Sequence, residues 1–284
     1  MARRAGPSVR SRRLAFMLRK LRAAAGQSCA EVGGGTGMSS SKISRIETGD
    51  SGIYTDDIEK LLDYFEVGRQ RRVELLDLAR HAEQRGLLRV HGPNLPQDWQ
   101  TWVDFEAEAS ALFMYQPLTV PGLLQIAEYA HAIITATGDD MTEDRVDQLV
   151  ASRMARQGLL TRSRPLTLHA IVEESVLSRP IGEDAALTRQ LNHLADAAAR
   201  PNVTVRVLPT DAGLHSGLNG PFVLMDYDAE ASLVLLENKV ASLFLDEQEH
   251  IDAYTQSWDE LLRLAHDEDA SVELIRAASA RSRR

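Results

Sequence analysis

The chain has 284 residues, of which 44% are hydrophobic and 26% charged, and these values are typical of a soluble globular protein with about two domains. It contains no apolar run near the ~18–20 residues of a membrane span, and its Arg-rich start lacks the apolar core of a secretory signal. Its single cysteine, Cys29, excludes an internal disulfide and a multi-cysteine metal site. We therefore expect a cytoplasmic protein without membrane segments.

The net charge of −9 is distributed unevenly along the chain. Residues 1–50 hold ten Arg or Lys and three Asp or Glu, a formal charge of +7, which leaves −16 on the remainder. This asymmetry indicates a basic module joined to an acidic one. The basic module suits double-stranded DNA, because contacts to phosphates release counterions and so supply much of the binding free energy.

Residues 1–13 are predicted to form a basic, flexible arm. They include five arginines, together with Gly6 and Pro7, which disfavour a regular helix. An arm of this kind can lie along the DNA backbone or enter a minor groove, so Arg13 is a candidate DNA contact. The sequence favours a disordered arm that makes no specific contact over this interpretation.

Two helices are predicted to follow the arm. The apolar stripe of the first consists of Leu14, Met17, Leu18 and Leu21. Arg19 lies on its solvent side and is a further candidate DNA contact. Ser28 and Glu31 have the spacing of a capping box, so a second helix is expected to start there. Three consecutive glycines keep that helix short, and Gly37 permits a turn with positive φ after it.

A third helix is predicted within the sequence MSSSKISRIETG at residues 38–49, with Ser39 as its N-cap. Ile43 and Ile46 lie on one face and are expected to point inward. The opposite face and the N-terminal end carry Ser40, Ser41, Lys42, Ser44 and Arg45. A short helix with small polar and basic side chains suits the major groove of DNA. An ordinary amphipathic surface helix is the alternative.

The matching residues Val32, Gly33 and Gly37, with the string ISRIETG at residues 43–49, carry a resemblance to a known family. Together with a fourth predicted helix from Thr55, residues 14–67 resemble the helix-turn-helix domain of Xre/Cro-type transcriptional regulators. The chain departs from that pattern at Cys29, where a Gln commonly contacts a phosphate. The resemblance implies that Ser40, Ser41, Lys42 and Arg45 face bases or nearby phosphates, and that Cys29 has a weaker claim to lie near the DNA backbone. Ser39 and Ser44 of the same helix are further candidate DNA contacts.

The rest of the chain predicts a second, mixed α/β domain over residues 98–284. A helix at 68–86 completes the all-α first domain, residues 14–90, and residues 91–97 form a linker rich in Pro and Gly. Helices are predicted at 98–115, 122–135, 142–160, 183–200, 247–266 and 268–278. Strands are predicted at 166–172, 203–208, 222–227, 232–236 and 241–245. The helix between the first two strands indicates a parallel crossover.

Several strings in the second domain carry another resemblance. They are EAEAS at 106–110, YQPLTVPGLLQ at 115–125, Tyr129-Ala130, Arg153, Arg156-Gln157, Glu173-Glu174, PNVTVRVLP at 201–209 and GPF at 220–222. This order of motifs resembles the actinobacterial WhiJ-like regulators. That resemblance implies genetic pairing with a small neighbouring protein, in an antitoxin-like arrangement.

The sequence offers no clear catalytic or metal-binding constellation. The eight histidines are scattered without metal-ligand spacing, and Asp226, Asp228 and Glu230 are better explained as turn residues than as a calcium loop. Trp99 and Trp102 are weak candidates for a ligand or partner site, although paired aromatics at helical spacing are usually core. His215 is a third weak candidate because of its glycine-flanked loop, although such a histidine is usually solvated. We expect no enzyme activity, no cofactor and no metal.

The combined prediction is a dimeric, sequence-specific DNA-binding transcriptional regulator. Two half-sites supply the specificity that one short helix lacks. Its second domain is expected to respond to a small partner protein or a small-molecule effector. The alternative is an antitoxin-like module that neutralises a small neighbouring protein and only autoregulates its operon. An enzyme within residues 98–265 is a third alternative.

Overall fold

A computed structural model describes residues 7–49, 53–90, 95–138, 141–181, 184–228 and 230–282. It has two compact units. Unit 1 consists of Met1–Val90 and Ala241–Gln248, and unit 2 of His91–Val240 and Glu249–Arg284. The division lies at the predicted linker, but it also assigns a short segment from the C-terminal half of the chain to unit 1.

Unit 1 is a helical domain with a two-stranded ribbon. Its helices are α1 (Val9–Ala24), α2 (Cys29–Thr36), α3 (Ser40–Thr48), α4 (Thr55–Tyr64) and α5 (Arg69–Arg80). Its strands are β1 (Leu87–Val90) and β7 (Ala241–Leu245), which pair antiparallel. The core contains the apolar residues that helical spacing predicted, among them Leu14, Leu18, Val32, Ile43, Ile46, Ile58 and Leu62. The predicted helix-turn-helix fold of this region is confirmed.

The start of α1 differs from the expected flexible arm. Ser8 caps the helix by accepting the N–H of Ser11 at 3.1 Å, and the N–H of Val9 donates to Asp246 Oδ2 at 2.7 Å. Residues 9–13 are therefore helical, and residues 1–6 lie outside the described part of the chain. The expectation of an arm through residue 13 was wrong because Asp246, which holds this end of α1, is 237 positions away in sequence.

Asp246 also connects the other parts of unit 1. Its Oδ1 accepts the N–H of Gly86 at 2.7 Å, and its Oδ2 lies 3.1 Å from Nη1 of Arg85. The residue is 6% exposed, so these donors replace water around a buried carboxylate. One side chain just after β7 thus anchors both the start of α1 and the approach to β1.

Unit 2 contains a mixed sheet with the order β6-β5-β2-β3-β4. The strands are β2 (Ala111–Gln116), β3 (Thr167–Glu173), β4 (Val203–Leu208), β5 (Phe222–Asp226) and β6 (Leu233–Glu237). The helices are α6 (Leu95–Glu108), α7 (Ala127–Thr137), α8 (Glu143–Arg156), α9 (Asp184–Ala197), α10 (Gln248–Leu264) and α11 (Glu268–Arg281). Strands β2, β3 and β4 are parallel, whereas β5 pairs antiparallel with β2 and β6. The predicted mixed α/β fold and the parallel crossover through α9 are confirmed.

Strand β2 is the main error in the predicted elements. The sequence predicted one helix from residue 98 to about residue 115, but α6 ends at Glu108 and β2 follows. Leu112, Met114 and Tyr115 are all buried, because β2 lies between β3 and β5 in the centre of the sheet. A strand that is covered on both faces lacks the alternation that distinguishes a strand from a helix.

Helix α11 packs against α9 and β4. Ser271 of α11 accepts the N–H of Val207 at 3.0 Å, and Ser279 donates to Asn192 Oδ1 at 2.7 Å. Among the described residues, no helix combines the length and apolarity that crossing a membrane requires.

Candidate nucleic-acid interface and ligand cavity

The helix-turn-helix begins with a complete capping box at α2. The N–H of Glu31 donates to Ser28 Oγ at 3.3 Å, and the N–H of Ser28 donates to Glu31 Oε2 at 2.7 Å. The hydrogen bonds from the Ser28 backbone and hydroxyl lower the pKa of the Glu31 carboxyl. These contacts satisfy free amides at the start of α2, as the sequence predicted.

The turn into α3 depends on two glycines. Gly37 has φ +71°, a backbone conformation that side chains disfavour. A Cβ at Gly33 would lie 2.6 Å from the carbonyl oxygen of Met38 and 3.3 Å from the amide nitrogen of Ser40. Helix α2 therefore approaches the first turn of α3 more closely than any residue with a side chain allows.

Helix α3 presents the face that its sequence predicted. Ser39 caps the helix by accepting the N–H of Lys42 at 3.2 Å, and Ile43 and Ile46 are each 1% exposed. The exposed residues on the other side are Ser39, Ser40, Ser41, Ser44 and Arg45. The inward isoleucines thus fix the rotation of a helix whose outer face is small, polar and basic.

Two ion pairs fix α3 in unit 1. Arg22 of α1 donates to both carboxylate oxygens of Glu47, at distances of 2.7–3.0 Å, and this contact raises the pKa of Arg22. Lys42 Nζ lies 2.7 Å from Asp57 Oδ2 of α4. Glu47 and Asp57 are 6% and 7% exposed, so both pairs hold buried carboxylates of the helical core.

The basic residues that the sequence suggested as DNA contacts therefore differ in their exposure and in the partners that they already have. Arg45 is exposed, and its Nε donates to the carbonyl of Ser41 at 3.3 Å within α3. Lys42 is partly exposed but engaged with Asp57. Arg19 is partly buried, 5.7 Å from the ring centroid of Phe16. Arg13 is 3% exposed, which places its guanidinium inside the protein rather than on a surface that DNA reaches.

Unit 2 contains a cavity of about 180 Å³. Its apolar lining includes Trp102, Met114, Ile133, Phe222 and Leu235. Its polar lining includes Gln116, Gln125, Arg153, Arg156 and Glu237. Helices α6 and α8, strands β2, β5 and β6, and the segment between β2 and α7 all contribute side chains.

The two arginines of the cavity have different surroundings. Arg156 donates to both oxygens of Glu106, at 2.6 Å each, and its guanidinium lies 5.5 Å from the Trp102 ring. Arg153 donates from Nη1 to the amide oxygen of Gln125 at 2.8 Å. Burial, and secondarily the charge of Arg156, lower the pKa of Arg153 to about 10. At neutral pH Arg153 is therefore a desolvated cation.

A network of glutamines holds the cavity wall between β2 and α7. Gln125, 2% exposed, donates to the carbonyl of Val120 at 2.7 Å, and Gln190 donates to the carbonyl of Leu124 at 2.7 Å. Gln190 also accepts the N–H of Ile126 at 2.8 Å. Sequence reasoning gave no site role to Gln125, Arg153 or Glu106, because they come together from three separate segments.

The structure places the three residues suggested for a ligand or partner site in different surroundings. Trp102 is 5% exposed and lines the cavity. The side chain of Trp99 lies outside the described part of the structure. The side chain of His215 is 6% exposed rather than solvated, and its Nε2 lies 3.6 Å from Glu173 Oε1. The hydroxyl of Tyr115 donates to the same oxygen at 2.5 Å. Burial and the neighbouring Glu173 raise the pKa of the Tyr115 hydroxyl.

Within the described residues, one group of three side chains has the proximity that a metal ion requires: His131, Glu143 and Asp147. His131 Nε2 lies 3.1 Å from Glu143 Oε1, and both carboxylates are exposed. The group joins α7 to α8, which sequence spacing does not reveal. Its geometry is that of a surface ion pair between neighbouring helices.

The C-terminal and N-terminal parts of the chain each match a known protein family. Residues 99–277, more than half of the chain, match the family described as Domain of unknown function (DUF5753). The chain belongs to the DUF5753 family. The cavity and its arginines lie within the DUF5753 region.

The N-terminal part of this DUF5753 protein matches a second family. Residues 13–75 match the family described as Helix-turn-helix domain, which includes α2, the turn and α3. No curated protein matches the chain. Among solved structures, the archaeal chromatin protein TrmBL2, described as showing a novel mode of DNA binding, shares 12% sequence identity. That match has a TM-score of 0.33 over 75% of this chain and 67% of the other.

Proposed function

We propose that this protein is a sequence-specific transcriptional regulator that reads the major groove of DNA with α3. The observation that carries the proposal is the exposed face of α3, with Ser40, Ser41, Ser44 and Arg45 on a helix that buried isoleucines and two ion pairs hold in place. Small polar side chains allow close approach to base edges, and an arginine can contact guanine through two hydrogen bonds. The helix-turn-helix match supports DNA binding.

The proposed interface assigns distinct roles to the candidates. Ser39 and Ser40 lie at the N-terminus of α3, where free amides and the helix dipole favour a phosphate. Arg45 is the base-reading residue, and Arg19 lies at the flank of the interface as a phosphate contact. Lys42 keeps Asp57 paired and contacts DNA only secondarily. Arg13 has no place in the interface, since it is buried.

We further propose that the regulator is a dimer that binds two related half-sites. The support is the small size of one reading helix, which contacts only a few base pairs.

The DUF5753 region is proposed to receive the signal. Its cavity supports a small-molecule effector, and the WhiJ-like resemblance supports a small neighbouring protein as a second signal source. The polypeptide chain that lines the cavity continues directly into the DNA-binding unit. Glu237 lines the cavity at the end of β6, and four residues later the chain enters β7. Asp246, directly after β7, holds the start of α1.

Replacing Arg45 by Ala is expected to weaken binding to DNA from the protein's own upstream region by ~1–3 kcal/mol, roughly 5- to 150-fold. The loss should be much smaller on a scrambled duplex, because only the specific complex uses a base contact. Fluorescence anisotropy over a salt series measures both affinities.

Arg80→Ala is the matched control for this experiment. Arg80 is exposed at the end of α5 in the same unit, so its removal changes the net charge equally without touching α3. Affinity and sequence preference that change equally in the two variants would show that α3 is not the reading helix. Equal, weak binding of the wild-type protein to both duplexes would contradict sequence-specific binding.

A further inference from the structure

We propose that the cavity of unit 2 binds a small uncharged carbonyl compound with an apolar body, such as an amide, and that Gln116 and Thr119 supply its polar contacts. The role of this ligand as an effector rests on the proposed function. The binding site itself is argued from the lining of the cavity alone.

The charged side chains at the cavity balance one another. Arg156 donates two hydrogen bonds to Glu106, and Arg153 bonds to the amide oxygen of Gln125. The carboxylates of Glu237 and Glu106 also act on Arg153 electrostatically. The two guanidinium groups and the two carboxylates together carry no net charge. A ligand with a charge of its own would therefore lose its hydration here without gaining a net counter-charge.

The polar groups that remain available to a ligand are neutral. Gln116 and Thr119 line the cavity, and both are partly exposed. Within the described part of the chain, neither side chain has a hydrogen bond or an ion pair with another residue. An amide and a hydroxyl can each donate and accept. A carbonyl or amide group of a ligand therefore finds partners that need not break a bond within the protein.

These two neutral side chains lie at the carboxyl end of β2, beside the apolar wall of the cavity. Gln116 is the last residue of β2, and Thr119 follows three residues later. Met114 lies two residues before Gln116 and thus on the same face of the strand, where it is buried and lines the cavity. The carboxyl ends of strands are also where open α/β sheets commonly bind ligands.

The apolar lining and the size of the cavity determine the rest of the ligand. Trp102, Met114, Phe222 and Leu235 are buried and supply apolar and aromatic contacts. The volume of about 180 Å³ is slightly larger than the ~150 Å³ of an engineered apolar cavity that holds benzene. A single ring or a short alkyl chain with one polar group therefore fits, while a nucleotide is too large.

Binding of benzamide to the full-length protein at neutral pH, without DNA, tests the site. Benzamide should bind saturably. Benzoate and benzylammonium have the same ring but carry a negative and a positive charge, so each should bind at least about tenfold more weakly than benzamide. Isothermal titration or ligand-observed NMR measures these affinities.

Gln116→Leu should weaken the binding of benzamide at least about fivefold, because the amide of the ligand would then be buried without its partner. Gln256→Leu is the matched control, since Gln256 is exposed on α10 of the same unit and does not line the cavity. The comparison of the three probes on the wild-type protein stands even if the Gln116 variant fails to fold.

Three results would overturn the site. They are the absence of saturable benzamide binding up to about 10 mM, binding of benzoate or benzylammonium as tight as that of benzamide, and a folded Gln116→Leu protein that binds benzamide as tightly as the Gln256→Leu protein. A protein that binds benzamide as expected but shows no preference for its own upstream DNA would contradict the proposed function and retain the site.

Discussion

The free energy of unfolding of a Glu106→Gln variant is expected to be about 3–5 kcal/mol lower than that of the wild-type protein. Glu106 is fully buried and Arg156 is 8% exposed, and the two form two hydrogen bonds of 2.6 Å. The substitution keeps the volume but removes the negative charge, so the guanidinium of Arg156 remains buried without its counter-charge. Its contact with Trp102 compensates only a small part of that cost.

Urea denaturation followed by circular dichroism measures this loss. Glu128→Gln is the matched control, because Glu128 lies 2.7 Å from Arg189 in an ion pair whose side chains are 54% and 48% exposed. Removing that pair should cost less than about 1 kcal/mol, since solvent screens exposed charges. Similar, small losses in both variants would contradict a stabilising role for the buried pair.

Gly33→Ala is expected to destabilise unit 1 by about 1–3 kcal/mol, whereas Gly34→Ala should stabilise it by about 0.5–1 kcal/mol. Both substitutions increase helix propensity equally within α2. Only at Gly33 does the new Cβ meet backbone, 2.6 Å from the carbonyl oxygen of Met38, while Gly34 has no neighbour within 4 Å. The difference between the variants therefore isolates the close approach of α2 to α3.

Thermal unfolding of both variants measures the two effects, and DNA binding provides a second readout. If Gly33→Ala displaces the first turn of α3, its affinity for upstream DNA should fall, while that of Gly34→Ala should not. Two variants of equal stability would show that α2 and α3 adjust to a methyl group without cost, and the rigid presentation of α3 would then be wrong.

Much of unit 1 could be predicted because the determining interactions are local. The capping box joins Ser28 to Glu31, the N-cap joins Ser39 to Lys42, and the apolar stripes repeat within one or two helical turns. Such contacts span three or four residues, so their spacing in the sequence specifies their geometry. The polar face of α3 follows from the same spacing, and its DNA contacts remain a prediction.

Contacts between segments that are distant in the chain could not be predicted from residue spacing. Strand β2 is a strand because β3 and β5 flank it, although its residues ALFMYQ suit a buried helix equally well. The helical start of α1 depends on Asp246, and Arg13 became a buried residue instead of part of a free arm. Partners more than 50 positions away leave no periodic signal along the chain.

The sequence by itself determined the helix-turn-helix, its caps and the outward face of α3, because each arises from hydrogen bonds and apolar spacing within a few residues. Only the tertiary structure decided the cavity. Gln125, Arg153 and Glu106 lie in segments that have no local reason to meet, and the sheet and helices of unit 2 bring them together. Once they meet, exclusion of water changes their chemistry, since the guanidinium of Arg153, which would be an ordinary charge on the surface, becomes a desolvated cation beside the cavity.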